Sequence, residues 1–174
     1  MRNFILISLS LISIIYCFSK RSDEQVVIPN EAIRFRVLAN SNSVDDQFIK
    51  NEVTKEVQDY LFTILKDVDT ISESRLAIRS NISTIEKKVN DFLLNENYSN
   101  KFSINYGYNY FPKKTYNGVK YNEGNYESLL ITLGEGEGNN WWCVLFPPLC
   151  LMDAQESNEV EYKFFVKELI DKYF

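Results

Sequence analysis

The residues of this 174-residue chain that are best suited to chemistry are carboxylates. Glu123, Glu127, Glu135 and Glu137 lie close together along the sequence. Two facing carboxyl groups can act as general acid and base or nucleophile in a glycosidase. Charges on turns and strand edges more often keep a surface solvated or prevent edge pairing. An exported hydrolase that uses paired carboxylates is therefore the alternative hypothesis for function. The main hypothesis is a protein that acts by binding a partner.

The absence of histidine restricts the chemistry further. It excludes Ser-His and Cys-His nucleophilic pairs and any His-ligated zinc or iron site. Outside the N-terminal segment only Cys143 and Cys150 remain, which are too few for a thiolate-ligated structural metal. These two cysteines either form a disulfide, which export would permit, or remain free and buried. No cofactor or metal is predicted.

Residues 134–150, GEGEGNNWWCVLFPPLC, form the most unusual stretch of the sequence. The glycine spacing matches neither dinucleotide nor phosphate loops, and two glutamates would repel a phosphate. Trp141 and Trp142 are adjacent, so on a strand they point to opposite faces. One indole is expected in the core, while the other is either covered by another element or left as a binding anchor.

We predict a partner-binding surface on this stretch and on the strand before it. Its candidate residues are Tyr126, Glu127, Glu135, Glu137, Trp141, Trp142, Phe146, Pro147 and Pro148.

Hydrophobic periodicity predicts the elements that position these residues. Residues 33–39 alternate apolar and charged side chains, which is typical of a strand entering a core. Two amphipathic helices follow, over about 45–66 and from about 72 to 95, and the first has polar capping residues before it.

From residue 102 the period changes to two, which predicts strands over 102–111, 126–133 and 141–146, while turn signals flank residues 119–121. A closing helix is predicted over 160–174. The predicted fold is therefore an α+β, two-layer domain with helices packed on a mainly antiparallel sheet, in the order β-α-α-β-β-β-α.

The N-terminus predicts export. Residues 4–18 form an apolar run after Arg2, shorter than the roughly 20 residues that span a bilayer. Residues 1–19 are thus interpreted as a signal peptide or an uncleaved membrane anchor. Residues 20–29 are interpreted as a spacer, and residues 30–174 as a single α+β signalling domain. The protein is then secreted or membrane-tethered, with membrane contact only through this segment if it is uncleaved.

The net charge is −5, and removal of residues 1–19 takes away one arginine and makes it −6. An acidic chain without a basic cluster argues against nucleic acid as a partner.

Several segments together resemble the stage II sporulation protein R family of endospore-forming bacteria. They are residues 33–43 (IRFRVLANSNS), 46–47 (DQ), 110–116 (YFPKKTY), 124–129 (GNYESL) and 134–150. Asn42 and Val44 depart from the acidic character expected there, and the tail after Cys150 carries no family signature.

The resemblance implies a non-enzymatic signalling protein with no catalytic residues. Family members are exported from the forespore to the intermembrane space between forespore and mother cell. There they activate a membrane-embedded aspartic protease, which processes pro-sigma-E. The implied partner of this chain is that protease.

Overall fold

The computed structural model describes residues 26–116, 119–151 and 159–174. The predicted signal segment and residues 20–25 of the predicted spacer lie outside them. None of the helices within these ranges is long and apolar enough to cross a bilayer. In chain order the elements are β1 (Ile33–Leu38), α1 (Val44–Leu65), α2 (Ile71–Ser80), α3 (Ile82–Asn95), β2 (Phe102–Phe111), β3 (Lys114–Tyr116), β4 (Val119–Tyr121), β5 (Gly124–Leu133), β6 (Asn140–Phe146), a short 3-10 helix (Leu149–Leu151) and α4 (Glu159–Tyr173).

A four-stranded sheet in the order β2-β5-β1-β6 forms the centre of the fold. The first strand, β1, pairs in parallel with β5 and antiparallel with β6, and β2 pairs antiparallel with β5. A separate hairpin joins β3 and β4. The α+β class with a mainly antiparallel sheet is confirmed, with one helix and two strands more than the predicted order.

The main core lies between one face of the sheet and helices α1, α2 and α3. Strand alternation places Phe35 and Val37 on this face, and β5 contributes Leu129 and Ile131. The helices supply residues at three- and four-residue spacing, which puts them on one side of each helix. Those fully buried are Val53, Val57, Ile78, Ile85 and Val89.

The predicted second helix is in fact two helices that meet at Asn81. The Asn81 side-chain amide donates to the Ala77 carbonyl at 2.8 Å, and its oxygen accepts from the Tyr60 hydroxyl of α1 at 2.5 Å. An asparagine side chain that competes for a helix carbonyl favours a break. The apolar stripe continues across this position, which is why periodicity alone predicts one helix.

The other face of the sheet is covered as well, by the β3–β4 hairpin and by α4. Val119, Tyr121 and Val166 pack there in a second core cluster. The end of the predicted spacer also belongs to this layer, since Ile28 is buried and its N–H donates to the Lys120 carbonyl at 3.2 Å. Helices α1, α2 and α3 therefore cover one buried sheet face, and the hairpin with α4 covers the other.

Arg34 lies fully buried on this second face, inside a box of aromatic rings. Its guanidinium carbon is 3.4 Å from the Tyr126 ring centroid, 5.2 Å from that of Phe111 and 5.7 Å from that of Trp142. Within the described part of the chain, its guanidinium nitrogens have no hydrogen-bond partner. Burial lowers the pKa of Arg34, and the nearby Tyr126 and Tyr121 oppose that shift. Aromatic faces thus replace a carboxylate as the counterpart of this charge.

We expect the Arg34 side chain to stabilise the fold by its volume more than by its charge. Arg34→Ala should lower the free energy of unfolding by about 2–5 kcal/mol, because it leaves a cavity. Arg34→Met fills much of that space without a buried charge and should change the free energy by less than about 1.5 kcal/mol. Urea unfolding at neutral pH measures both. Equal losses in the two variants would contradict this expectation.

Candidate functional site

Two segments that the sequence analysis singled out meet at one end of the sheet. We call them the loop platform: residues 39–47, which follow β1, and residues 134–139, the turn between β5 and β6. The Gly138 N–H donates to the Ala39 carbonyl at 2.9 Å, and the Glu137 N–H donates to the Asn40 carbonyl at 3.2 Å. The Asn40 side-chain oxygen accepts from the Glu135 N–H at 3.1 Å. Backbone polar groups of one segment are thus satisfied by the other.

Asp46 holds the first segment against the start of α1. Its carboxylate accepts from the Asn40 amide at 2.9 Å and from the Ser41 hydroxyl at 2.5 Å. These hydrogen bonds, that of Ser41 first, lower the pKa of Asp46. Ser43 is the N-cap of α1, and its hydroxyl accepts from the Asp46 N–H at 3.1 Å. The predicted capping role is therefore filled by Ser43, while Asn40 and Ser41 bind the carboxylate.

Two of the three alternating glycines are required by this close packing. Gly134 has φ +56°, and a Cβ there would overlap the Asn40 side chain. A Cβ on Gly138 would overlap the backbone carbonyl of Ser41. Glycine at these positions therefore allows the turn to approach the first segment, and no phosphate is needed to explain it.

The outer surface of the loop platform combines acidic and apolar side chains. Glu135 and Glu137 are exposed on the turn. Beside them, the first turns of α1 expose Val44 and Phe48, at 85% and 52% of their surface. Gln47, next to Phe48, donates to the Asn139 carbonyl at 3.3 Å and ties this helix to the turn. Both predicted glutamates therefore remain available to a partner.

Most of the other predicted contact residues are not exposed. Tyr126, Glu127, Phe146 and Pro147 are buried, and Pro148 is half-buried. Tyr126 forms part of the Arg34 box, and the Phe146 ring packs on α4. A partner could contact these four buried side chains only if they left the core.

Trp141 and Trp142 lie on opposite sheet faces, and both are partly buried. Trp141 packs edge-on against Phe35 with ring centroids 5.4 Å apart. Trp142 packs against Tyr121 at 4.9 Å and Phe111 at 5.6 Å. Of the two alternatives for the second indole, the structure supports coverage by another element, since the β3–β4 hairpin supplies Tyr121.

Cys143 and Cys150 form a disulfide, with their Cα atoms 5.7 Å apart. The bond joins β6 to the 3-10 helix that follows the two prolines. The Cys150 sulfur also lies 3.0 Å from the Val144 carbonyl oxygen. The disulfide therefore fixes the exit of β6.

Glu127 lies in the first half of β5, away from the loop platform, and its carboxylate accepts several hydrogen bonds. Arg75 of α2 donates from Nε to both carboxylate oxygens, at 2.7 and 3.0 Å. The Tyr106 hydroxyl donates to the same carboxylate at 2.9 Å. This arrangement satisfies a buried carboxylate with a cation and a hydroxyl group, as its desolvation requires.

Of the four carboxylates proposed for hydrolysis, Glu127 is too far from Glu135 and Glu137 to form a catalytic pair with either. At about 3.3 Å per strand residue, Glu127 lies about 20 Å from the end of β5, where the turn carrying Glu135 and Glu137 begins. Glycosidase carboxyl groups are roughly 5–9.5 Å apart. Glu135 and Glu137 are exposed on a turn, and Glu123 is exposed on the connection before β5. The geometry therefore gives the hydrolase hypothesis no support.

We expect the loop platform to tolerate no side chain at Gly138. Gly138→Ala should lower the free energy of unfolding by about 1–3 kcal/mol, because the Cβ would force the turn away from Ser41. Gly107→Ala is the matched control. A Cβ there meets its nearest neighbour at an ordinary 3.5 Å, so its effect should be within about 0.5 kcal/mol. Urea unfolding compares them, and equal stability of the two variants would refute the close approach.

Tyr106 should make the protein lose stability in alkali. Burial, and then the hydrogen bond to Glu127, raise the pKa of Tyr106 above its ordinary value. The folded state thus favours the protonated phenol, and this stabilisation is complete below about pH 10 and lost as the pH rises further. Between pH 8 and 11 the free energy of unfolding should fall more steeply for the wild type and for Tyr108→Phe than for Tyr106→Phe. Parallel curves would show that Tyr106 does not contribute.

Comparison with known proteins places this sequence in a family. The family model described as Stage II sporulation protein R (spore_II_R) matches residues 29–156. Stage II sporulation protein R of Bacillus subtilis (strain 168) is 41% identical over 142 residues, which are 82% of this chain and 63% of that relative. The chain thus spans a little under two thirds of the relative's length. No solved structure matches it. The matched region includes both segments of the loop platform, and the chain belongs to the stage II sporulation protein R family.

Proposed function

We propose that this chain is an exported, non-enzymatic sporulation signal that activates a membrane-embedded aspartic protease, which then processes pro-sigma-E. The observation that carries the proposal is the family match over residues 29–156. The compartment proposed is the intermembrane space between forespore and mother cell. The N-terminal segment would direct the domain to this space. The domain would then be either released by cleavage or left tethered to the membrane.

The loop platform is the surface that we propose contacts the protease. It is built from segments that carry the family resemblance, and its hydrogen bonds hold the exposed turn in a defined conformation. Glu135 and Glu137 project from it beside the apolar Val44 and Phe48. A protease surface with basic and apolar side chains would complement it.

The test is co-expression of the full chain with the cognate protease and pro-sigma-E in a host that does not sporulate. Mature sigma-E is scored by immunoblot. The double variant Glu135→Lys and Glu137→Lys should reduce processing about tenfold or more, because truncated or reversed contacts at an interface cost more than about 1.4 kcal/mol. Its thermal unfolding should match the wild type, since both side chains are exposed.

A matched control reverses two exposed charges away from the loop platform. Asp59→Lys with Glu86→Lys changes the net charge by the same amount on the middle of α1 and on α3. This variant should support wild-type processing. Equal processing by the two double variants would place the contact surface elsewhere. Processing that does not depend on the chain at all would overturn the proposed function.

A further inference from the structure

Strand β2 forms one edge of the four-stranded sheet, and within the residues that the structure describes it pairs only with β5. It is ten residues long, Phe102–Phe111, and contains neither a charged residue nor a proline. Soluble proteins usually protect edge strands with charges, prolines, bulges or short length. A long, uncharged edge of this kind offers backbone N–H and C=O groups to another extended strand.

The sequence of β2 is self-complementary. Residues 105–109 read Asn-Tyr-Gly-Tyr-Asn, which is the same in both directions about Gly107. If two copies pair antiparallel about Gly107, Tyr106 lies opposite Tyr108 of the other copy, and Asn105 lies opposite Asn109. Directly opposed aromatic residues stabilise antiparallel strand pairs.

The exposed side chains of this strand are Ser103, Asn105, Tyr108 and Tyr110, of which the two tyrosines are large and aromatic. Strand alternation puts Tyr106, Tyr108 and Tyr110 on one face. Tyr108 and Tyr110 have 75% and 58% of their surface exposed. Four such tyrosines in a dimer could bury about 600 Å². This is roughly half of the 1,200 Å² at which specific interfaces begin, and the rest of two ten-residue strands adds to it.

We propose that a second copy of this chain pairs with β2 across a two-fold axis at Gly107, joining two four-stranded sheets into one continuous sheet. Such an isologous contact uses the same patch on both copies. The nearest charges, Lys101 and Lys113, lie just outside the strand and face each other across the axis at the two ends of the pairing. The dimer should therefore become tighter as salt screens this repulsion, which is opposite to an interface held by ion pairs.

Cysteine cross-linking tests the register in the full chain, solubilised in detergent, with Cys17→Ser in all variants. Gly107→Cys places the two new thiols opposite each other, and a Cβ at Gly107 is sterically tolerated. Asn105→Cys is the matched control, because its two copies would be offset by four residues, about 13 Å, beyond the roughly 7 Å limit for a disulfide. Under mild oxidation, Gly107→Cys should form covalent dimer several times faster than Asn105→Cys.

The oligomeric state tests the interface itself. By sedimentation, Tyr108→Lys should shift the chain from dimer to monomer, whereas Leu94→Lys, at a position on α3 with 66% exposure, should not. Three results would each overturn the proposal. They are equal cross-linking of the two cysteine variants, no cross-linking of a folded Gly107→Cys variant, and a wild-type chain that sediments as a monomer. These measurements need no protease, so their failure would leave the proposed function intact.

Discussion

Hydrogen bonds between the β5–β6 turn and the segment after β1 set the positions of the sheet, the first helix and the exposed glutamates. Asn40 connects them, because its side-chain oxygen accepts from Glu135 and its nitrogen donates to Asp46. Gly138 permits the contact by leaving room for the Ser41 carbonyl. The backbone N–H groups of the turn donate hydrogen bonds to the segment after β1, so Glu135 and Glu137 are held outward at fixed positions. Helix α1 begins where Ser43 caps it.

The elements that depend on local pattern could be predicted from the sequence. The period-two strands, the first amphipathic helix and the closing helix all occur close to their predicted limits, and they were enough for the α+β class. Features that depend on distant residues could not be predicted. The helix break at Asn81 involves Tyr60, 21 residues away, and the environment of Glu127 involves Arg75, 52 residues away.

The candidate site was predicted only in part, for a related reason. Trp142, Tyr126 and Phe146 are large and aromatic, so their types fit an interface as well as a core. What decides between the two is coverage of the second sheet face, which comes from the short β3–β4 hairpin and from α4. Arg34 belongs to a strand whose residues alternate apolar and charged, and its burial depends on rings from β2, β4, β5 and β6. Among the predicted contact residues, only Glu135 and Glu137, on a turn at the end of the sheet, are exposed.

The position of β1 also determines when this domain can fold. Both neighbours of β1 in the sheet lie far along the chain: its partners in β5 are 94 residues further on, and those in β6 are 102 to 113 residues further on. During synthesis, residues 33–38 therefore have no sheet partner until nearly all of the domain has been made. Such non-local pairing delays folding relative to structures with local contacts. If the chain crosses a membrane N-terminus first, its four-stranded sheet can be completed only after β6 has emerged on the far side.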